Sequence, residues 1–485
     1  MNYNIIERKS VIMCEAYKKL SDYIDSKENE IVASLIRLVK INSILDSPKD
    51  KMPYGEGVYK ALEEVKSLYE ENGYPMQVKH ENGYAIYKTE NGKNTRIGLF
   101  SHADVVPVKN DWIYAKPFEP KLVGTKLFGR GVEDDKSGIV ASLYALKALR
   151  ETGYEPGSDI TVFVGGNEES GMEDITNFCE NETMPTVSLV PDYDFPYSEG
   201  EKGILHIDCM SNAPFVEITC FEGGAAYNVV LDEVNIKIKY NEKLFEELKA
   251  KNAEVTKKDN EICLTVRGIT RHVAMPEGSV NAAYKASELL CTAESLCEND
   301  KKILSCIKNT LGGYYGEGFN IEHEDMFGKL DAANGIVKLV DSKLFFTLDI
   351  RYGVKADAAD IIKNVKSTLE KYNFNGEICF ESPGFLLDSN KALSAALLNA
   401  YRSVTGKEGK PFKSSGGTYA RHLKNAFSTG TTTCTDKSEF NFPQGHGNIH
   451  QSDECIDIKG FIEGIKVLAA MIYEADTILK EDKNA

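Results

Sequence analysis

Apolar residues recur along this chain with two different periods. Between residues 15 and 45, Ile31, Leu35, Leu38 and Val39 stand at helical spacing, which predicts a helix there. RIGLF (96–100) is a short apolar run bounded by polar residues and reads as a strand. In SGIVASLYALKALRETG (137–153), Ile139, Val140, Leu143, Leu146 and Leu149 share one helical face, with Gly153 just past the end. ITVFVGG (160–166) and VSLVPD (187–192) are β-branched-rich runs that predict two more strands. Strands and a helix in this order predict an α/β layer whose strand-end loops carry function.

After about residue 205 the pattern changes. VNIKIKY (234–240) and EICLTVRG (261–268) alternate apolar and polar positions, as antiparallel strands with one exposed face do. SVNAAYKASELLCTAESL (279–296) and ADAADIIKNVKSTLEKY (356–372) are amphipathic, and KLFFTLDIRY (343–352) reads as a strand. From about 385 the helical pattern resumes and ends in GFIEGIKVLAAMIYEADTIL (460–479). The expectation is one domain interrupted by another. Its 485 residues are enough for two or three packed domains.

Charge narrows the function. Subtracting 74 acidic from 57 basic residues leaves −17, which argues against a nucleic-acid surface and against an anionic membrane. No apolar run reaches the roughly 18 residues of a spanning helix. The segment MNYNIIERKSVIMCEAYKK has no apolar core or cleavage site of a signal peptide. Eleven scattered cysteines without a C-x-x-C pair fit a reducing compartment, and a cytoplasmic location is expected.

Five segments concentrate His, Asp and Glu: SHADVVP (101–107), GRGVEDDKSG (129–138), GGNEESG (165–171), VPDYDFP (190–196) and GHGNIHQSDE (445–454). Taken singly each has an ordinary reading. Adjacent glutamates are usually solvated surface, and an Asp-Asp pair before a helix is more often a cap than a ligand. The four early segments fall where apolar strands end or helices begin, and together the five can supply a set of two histidines and three carboxylates. That set suffices for two metals sharing one carboxylate, which clamp the attacking and leaving oxygens of a hydrolysis. For one position Asp192 and Asp194 compete, and for another His446 and His450.

These segments, with LDIRY, GGTYAR and HQ-x-x-E in the same order, resemble the aminoacylase/carnosinase/carboxypeptidase-G-type dinuclear zinc metallopeptidases, and within them the bacterial PepV-type dipeptidases. The resemblance runs from about residue 15 to the last helix. It implies an α/β catalytic domain with a central mixed sheet, formed by 1–205 and 385–485, interrupted by an inserted α+β (ferredoxin-like) lid domain at 206–384. It implies two divalent metal ions per chain, zinc in the first place with manganese or cobalt as alternatives. His102 and Asp192 would hold one, Glu169 and His450 the other, and Asp134 would bridge both, followed by a cis peptide bond. Glu168 would be the general base acting on a water between the metals, and Asp104 the carboxylate that orients His102. In the lid, His272 would reach the scissile carbonyl, while Asn228 and Arg351 would contact substrate. Arg421, with Gly416 and Gly417, would finish a carboxylate pocket.

Two departures from the family pattern stand out. Arg271 precedes His272 where a small residue is usual, and Asp-Asp-Lys-Ser-Gly replaces Asp-Asp-Lys-Gly. The resemblance implies a hydrolase, a metalloprotease acting as a dipeptidase on small peptides, with neither nucleic acid nor membrane as partner, as a monomer or homodimer. Two alternatives stand beside it. One is an N-acyl amino-acid deacylase or desuccinylase using the same metals. The other is a catalytically silent peptide- or metal-binding member.

Overall fold

The computed structural model describes residues 15–224, 226–251, 253–387, 391–443 and 445–481. Most of the N-terminal segment read for a signal peptide, with Cys14, lies outside these residues. Contacts divide the chain into two compact units, one of Met1–Glu199, Leu387–Phe412 and Thr418–Ala485, the other of Gly200–Leu386 and Lys413–Gly417.

The first unit is built on a mixed sheet. Its strands run in the order Gln77–Lys79, Tyr84–Lys88, Asp159–Gly165, Arg96–His102, Val187–Tyr193 and Ala426–Gly430. The first two pair antiparallel and the last four lie parallel. All seven residues of Asp159–Gly165 are buried, as expected of a strand covered on both faces. The helix Lys136–Glu151 is buried from Lys136 to Leu149 and packs against both the 96–102 strand and the helix Ile458–Glu481. This explains why its apolar positions spread beyond one face. The helix expected over 15–45 is two, 15–25 and Glu28–Val39. The ladder breaks where Lys27 N–H bonds to Ile24 O, and it resumes with Ile31 N–H on Lys27 O. A helix the pattern reading passed over, Glu56–Glu71, buries Val58, Ala61, Leu62, Val65, Leu68 and Tyr69.

The second unit is α+β, with two larger antiparallel sheets and a two-stranded one of Glu324–Asp325 and Gly328–Lys329. One of the larger two orders Ile218–Glu222, Glu233–Lys239, Glu261–Arg267 and Val255–Lys258. Its register pairs Val234 with Val266, Ile236 with Leu264 and Ile238 with Ile262 on the buried side. Asn235, Lys237 and Lys239 stand on the exposed side, as the alternation predicts. The other sheet orders Asp331–Ala333, Lys343–Tyr352, Gly203–Pro214 and Phe374–Ser382. The helices Ala282–Cys291, Glu298–Thr310 and Ala358–Lys371 bury their apolar residues in this unit's own core. No helix among the described residues is long and apolar enough to cross a membrane.

Candidate metal centre

The C-terminal ends of the parallel strands converge, and that is where open α/β sheets place their sites. His102 closes the 96–102 strand and is fully buried. Its Nδ1 lies 3.0 Å from the Asp104 carbonyl oxygen and 3.4 Å from Asp104 Oδ1, which turns Nε2 outward. Nε2 lies 3.0 Å from Asp134 Oδ1 and 3.6 Å from Asp192 Oδ1. On the other side His450 Nε2 lies 2.9 Å from Asp134 Oδ2 and 3.1 Å from Glu169 Oε1. The two oxygens of one carboxylate therefore each face a different imidazole.

Asp134 stands in the turn before the 136–151 helix, and its peptide bond to Asp135 is cis. Asp135 caps that helix by accepting the Gly138 N–H at 3.1 Å, and its other oxygen accepts the His102 N–H at 3.2 Å. A Cβ at Gly138 would sit 2.2 Å from Asp135 Oδ1 and 2.6 Å from Pro191 O, so this helical position requires glycine. His102 with Asp134 and Glu169, and His102 with Asp135 and Asp192, form two groups whose ligand atoms lie within 4.8 Å of one another.

Glu168 and Glu169 sit in a short turn after the 159–165 strand. Asp104 accepts the N–H groups of both, at 3.2 and 3.1 Å, so it orients this turn as well as His102. Asp174, which the sequence reading did not single out, accepts the N–H groups of Gly166 and Asn167 and the hydroxyl of Tyr419 at 2.5 Å. Tyr419, of the GGTYAR segment, also sets its ring edge-on to His102 at 6.4 Å. A Cβ at Gly165 would lie 1.9 Å from the Tyr419 hydroxyl.

Charge crowding marks the site. Burial, opposed by His102 and reinforced by Asp192 and Glu169, drives the Glu168 carboxyl well above its usual range. Burial pushes Asp192 up to about 7. Asp134 goes the other way, because hydrogen bonds from His102 and His450 outweigh its burial. Among the described residues Glu168 Oε1 is buried without a hydrogen-bond partner. Two imidazoles and several carboxylates aimed at one small volume make a donor set suited to divalent cations, whose charge would offset the crowding. The residues present fit such ions.

The competing candidates separate by contact. His446 bonds to Asp453 through Nδ1 at 2.6 Å and lies 3.7 Å from Asp111, whereas His450 faces Asp134 and Glu169. Asp194 is exposed and has Lys437 as its charge neighbour, whereas Asp192 lies against His102. In the same unit Arg421 sits on the turn Tyr419–His422.

The remaining predicted residues belong to the second unit. His272 Nδ1 accepts the Ala274 N–H at 3.1 Å, which leaves the proton on Nε2. Asn228 lies on the adjoining segment, its carbonyl accepting the Val273 N–H. Arg351 is buried on the 343–352 strand and grips Asp349 with two bonds of 2.7 Å. Gly416 donates its N–H to Ser414 Oγ, one residue before Gly417.

At the C-terminal edge of the parallel strands, the imidazoles of His102 and His450 face the two oxygens of one carboxylate. Residues 98–474 match the sequence profile of Peptidase family M20/M25/M40, and the chain belongs to that family. It is 27% identical to a Staphylococcus haemolyticus protein named "Putative dipeptidase SH1171", over 94% of this chain and 98% of that one. To a Staphylococcus epidermidis protein named "Putative dipeptidase" it is 28% identical, over 92% and 97%. Among solved structures, the fold resembles human carnosine dipeptidase 1 at a TM-score of 0.62, with 13% identity over 95% of this chain and 99% of that one. It also resembles the Saccharomyces cerevisiae di-peptidase Dug1p at 0.61, with 14% identity over 95% and 98%.

Proposed function

We propose that this chain is a metal-dependent dipeptidase that hydrolyses dipeptides and short peptides with a free C-terminal carboxylate. The observation that carries the reading is Asp134, whose two oxygens lie 3.0 and 2.9 Å from the Nε2 atoms of two different histidines. In this reading His102 and Asp192 would hold one cation, Glu169 and His450 the other, and Asp134 would serve both. Zinc is the first choice of metal, ahead of manganese or cobalt. The enzyme works in the cytoplasm as a monomer or homodimer, with the inserted block 206–384 as its lid.

When bound, paired divalent cations supply Lewis acidity and lower the proton affinity of an attacking water. Glu168, half-buried and with its Oε1 unpaired among the described residues, takes that proton and passes it to the leaving amine. Asp104 keeps the Glu168–Glu169 turn and the His102 ring in register. His272 donates through Nε2 to the developing oxyanion, since its Nδ1 is occupied by a backbone N–H. Arg351, Asn228, Arg421 and the Gly416–Gly417 segment complete the substrate contacts, and the Asp349 pairing holds the Arg351 guanidinium in one orientation.

The test is a mixed panel of unblocked dipeptides, N-acetyl amino acids and N-succinyl amino acids. Each is assayed with chelator-stripped protein before and after zinc, manganese or cobalt is added. Metal-restored cleavage of the dipeptides alone is expected. Cleavage of the acylated compounds instead would make the chain a deacylase or desuccinylase. Metal binding without any cleavage would make it a silent binder.

A further inference from the structure

Glu454 stands outside the groups aimed at the metal centre, and the proposed chemistry does not use it. It is nonetheless fully buried and bonded to four donors. It accepts Arg130 Nη1 at 2.6 Å and the backbone N–H groups of Gly131 at 3.1 Å, Glu133 at 3.0 Å and Asp134 at 3.3 Å. Arg130, also buried, donates its Nη2 to the carbonyl of Gln451, the residue after His450 and 321 positions away in the chain. Its guanidinium lies 5.7 Å from the Trp112 ring centre. One ion pair therefore holds both the backbone that carries Asp134 and the backbone next to His450.

The other half of the centre shares Asp134, but its own two ligands, His102 and Asp192, do not depend on this pair. His102 and Asp192 end neighbouring parallel strands, and the ladder from Ile97–Val187 to Leu99–Leu189 fixes their separation. His450, by contrast, sits in a loop with its own φ at +62° and that of Asp453 at +57°. Non-glycine residues keep that left-handed conformation only where surrounding bonds impose it.

We infer that the Arg130–Glu454 pair positions Asp134 and His450 and thereby sets the occupancy of the cation on the Glu169–His450 side, making it the more easily lost of the two. This rests on the reading of the cluster as a two-cation centre. The pair touches neither substrate nor reacting atoms, so its role is positioning.

The experiment is a calorimetric titration of chelator-stripped full-length protein with Mn2+, for the wild type and for Glu454→Gln. The wild type should bind two ions. Glu454→Gln should keep the tighter site within about threefold and weaken the other about 10- to 100-fold, the range seen when groups behind metal ligands are altered. A pair that served only overall stability would lower the unfolding midpoint in chelator and leave the ratio of the two affinities unchanged. Unchanged or equally weakened sites would overturn the inference. Should Glu454→Gln fail to fold, Arg130→Lys keeps the charge opposite Glu454 and removes the bond to Gln451, and the same selective loss is expected. A wild type that binds fewer than two ions would overturn the two-cation reading and this inference with it.

Discussion

Glu168 gives the most direct residue-level prediction. Glu168→Ala should retain its metal and lose turnover by about 100- to 10,000-fold, the usual weight of a general base. Metal analysis beside a steady-state assay checks both halves, and normal turnover would remove Glu168 from the role. His272→Ala should lower kcat by about 100- to 1,000-fold with little change in KM if it serves the oxyanion. A change confined to KM would move it to substrate binding. His422 supplies a pH signature. Burial, helped by the Arg421 charge, lowers its pKa to about 4, against about 6.5 in the unfolded chain. Between those values the unfolded state binds the extra proton, so this contribution is complete above pH 6.5 and is lost as pH falls toward 4. His422→Gln should flatten that part of a melting-temperature profile. Much of the cluster was legible in the residues themselves, because ligand types stood beside strand and helix ends. The residues alone left His446 beside His450 and Asp194 beside Asp192; the resemblance favoured His450 and Asp192, and these two are the ones whose contacts face the cluster. Arg130, Glu454 and Asp174 could not be read as a framework, since their partners are backbone groups and distant residues that only folding brings near.

At the scale of elements, the 136–151 helix owes its start to Asp135 and its close approach to Pro191 to Gly138. Alanine normally favours a helix interior over glycine by about 1 kcal/mol. Here the order should invert. Gly138→Ala should destabilise by about 1–3 kcal/mol through overpacking, read as a lower urea midpoint with an unchanged m-value. Strands were the most legible elements: the run 343–352 was read to the residue, and 187–192 falls one short of Val187–Tyr193. Helices fared less evenly. The apolar spacing of Val58, Leu62, Val65 and Tyr69 was present in 56–71 but lay among five glutamates and two lysines, which masked it. The break at residues 26–27 left no proline or glycine as a marker, so one helix was expected where two stand.

For the whole molecule, metal removal is the decisive perturbation. A ligand that binds only the folded state stabilises it by about 2.7 kcal/mol at a hundredfold excess over its Kd. Chelator should therefore lower the melting temperature, and zinc or manganese should restore it in a concentration-dependent way. A melting temperature indifferent to chelator would speak against metal at this site. From the net charge of −17, added DNA is expected not to shift that melting curve. The Asp134 carboxylate, with one oxygen toward each histidine, has a further consequence. A histidine must give up its proton before the ring nitrogen can ligate, and Glu168 and Asp192 are carboxyls that burial inclines to stay protonated. Cation uptake and proton release are thus two sides of one exchange. The metal content of this protein should follow the acidity of its surroundings as closely as the supply of metal, and the heat of metal uptake should vary with the ionisation enthalpy of the buffer.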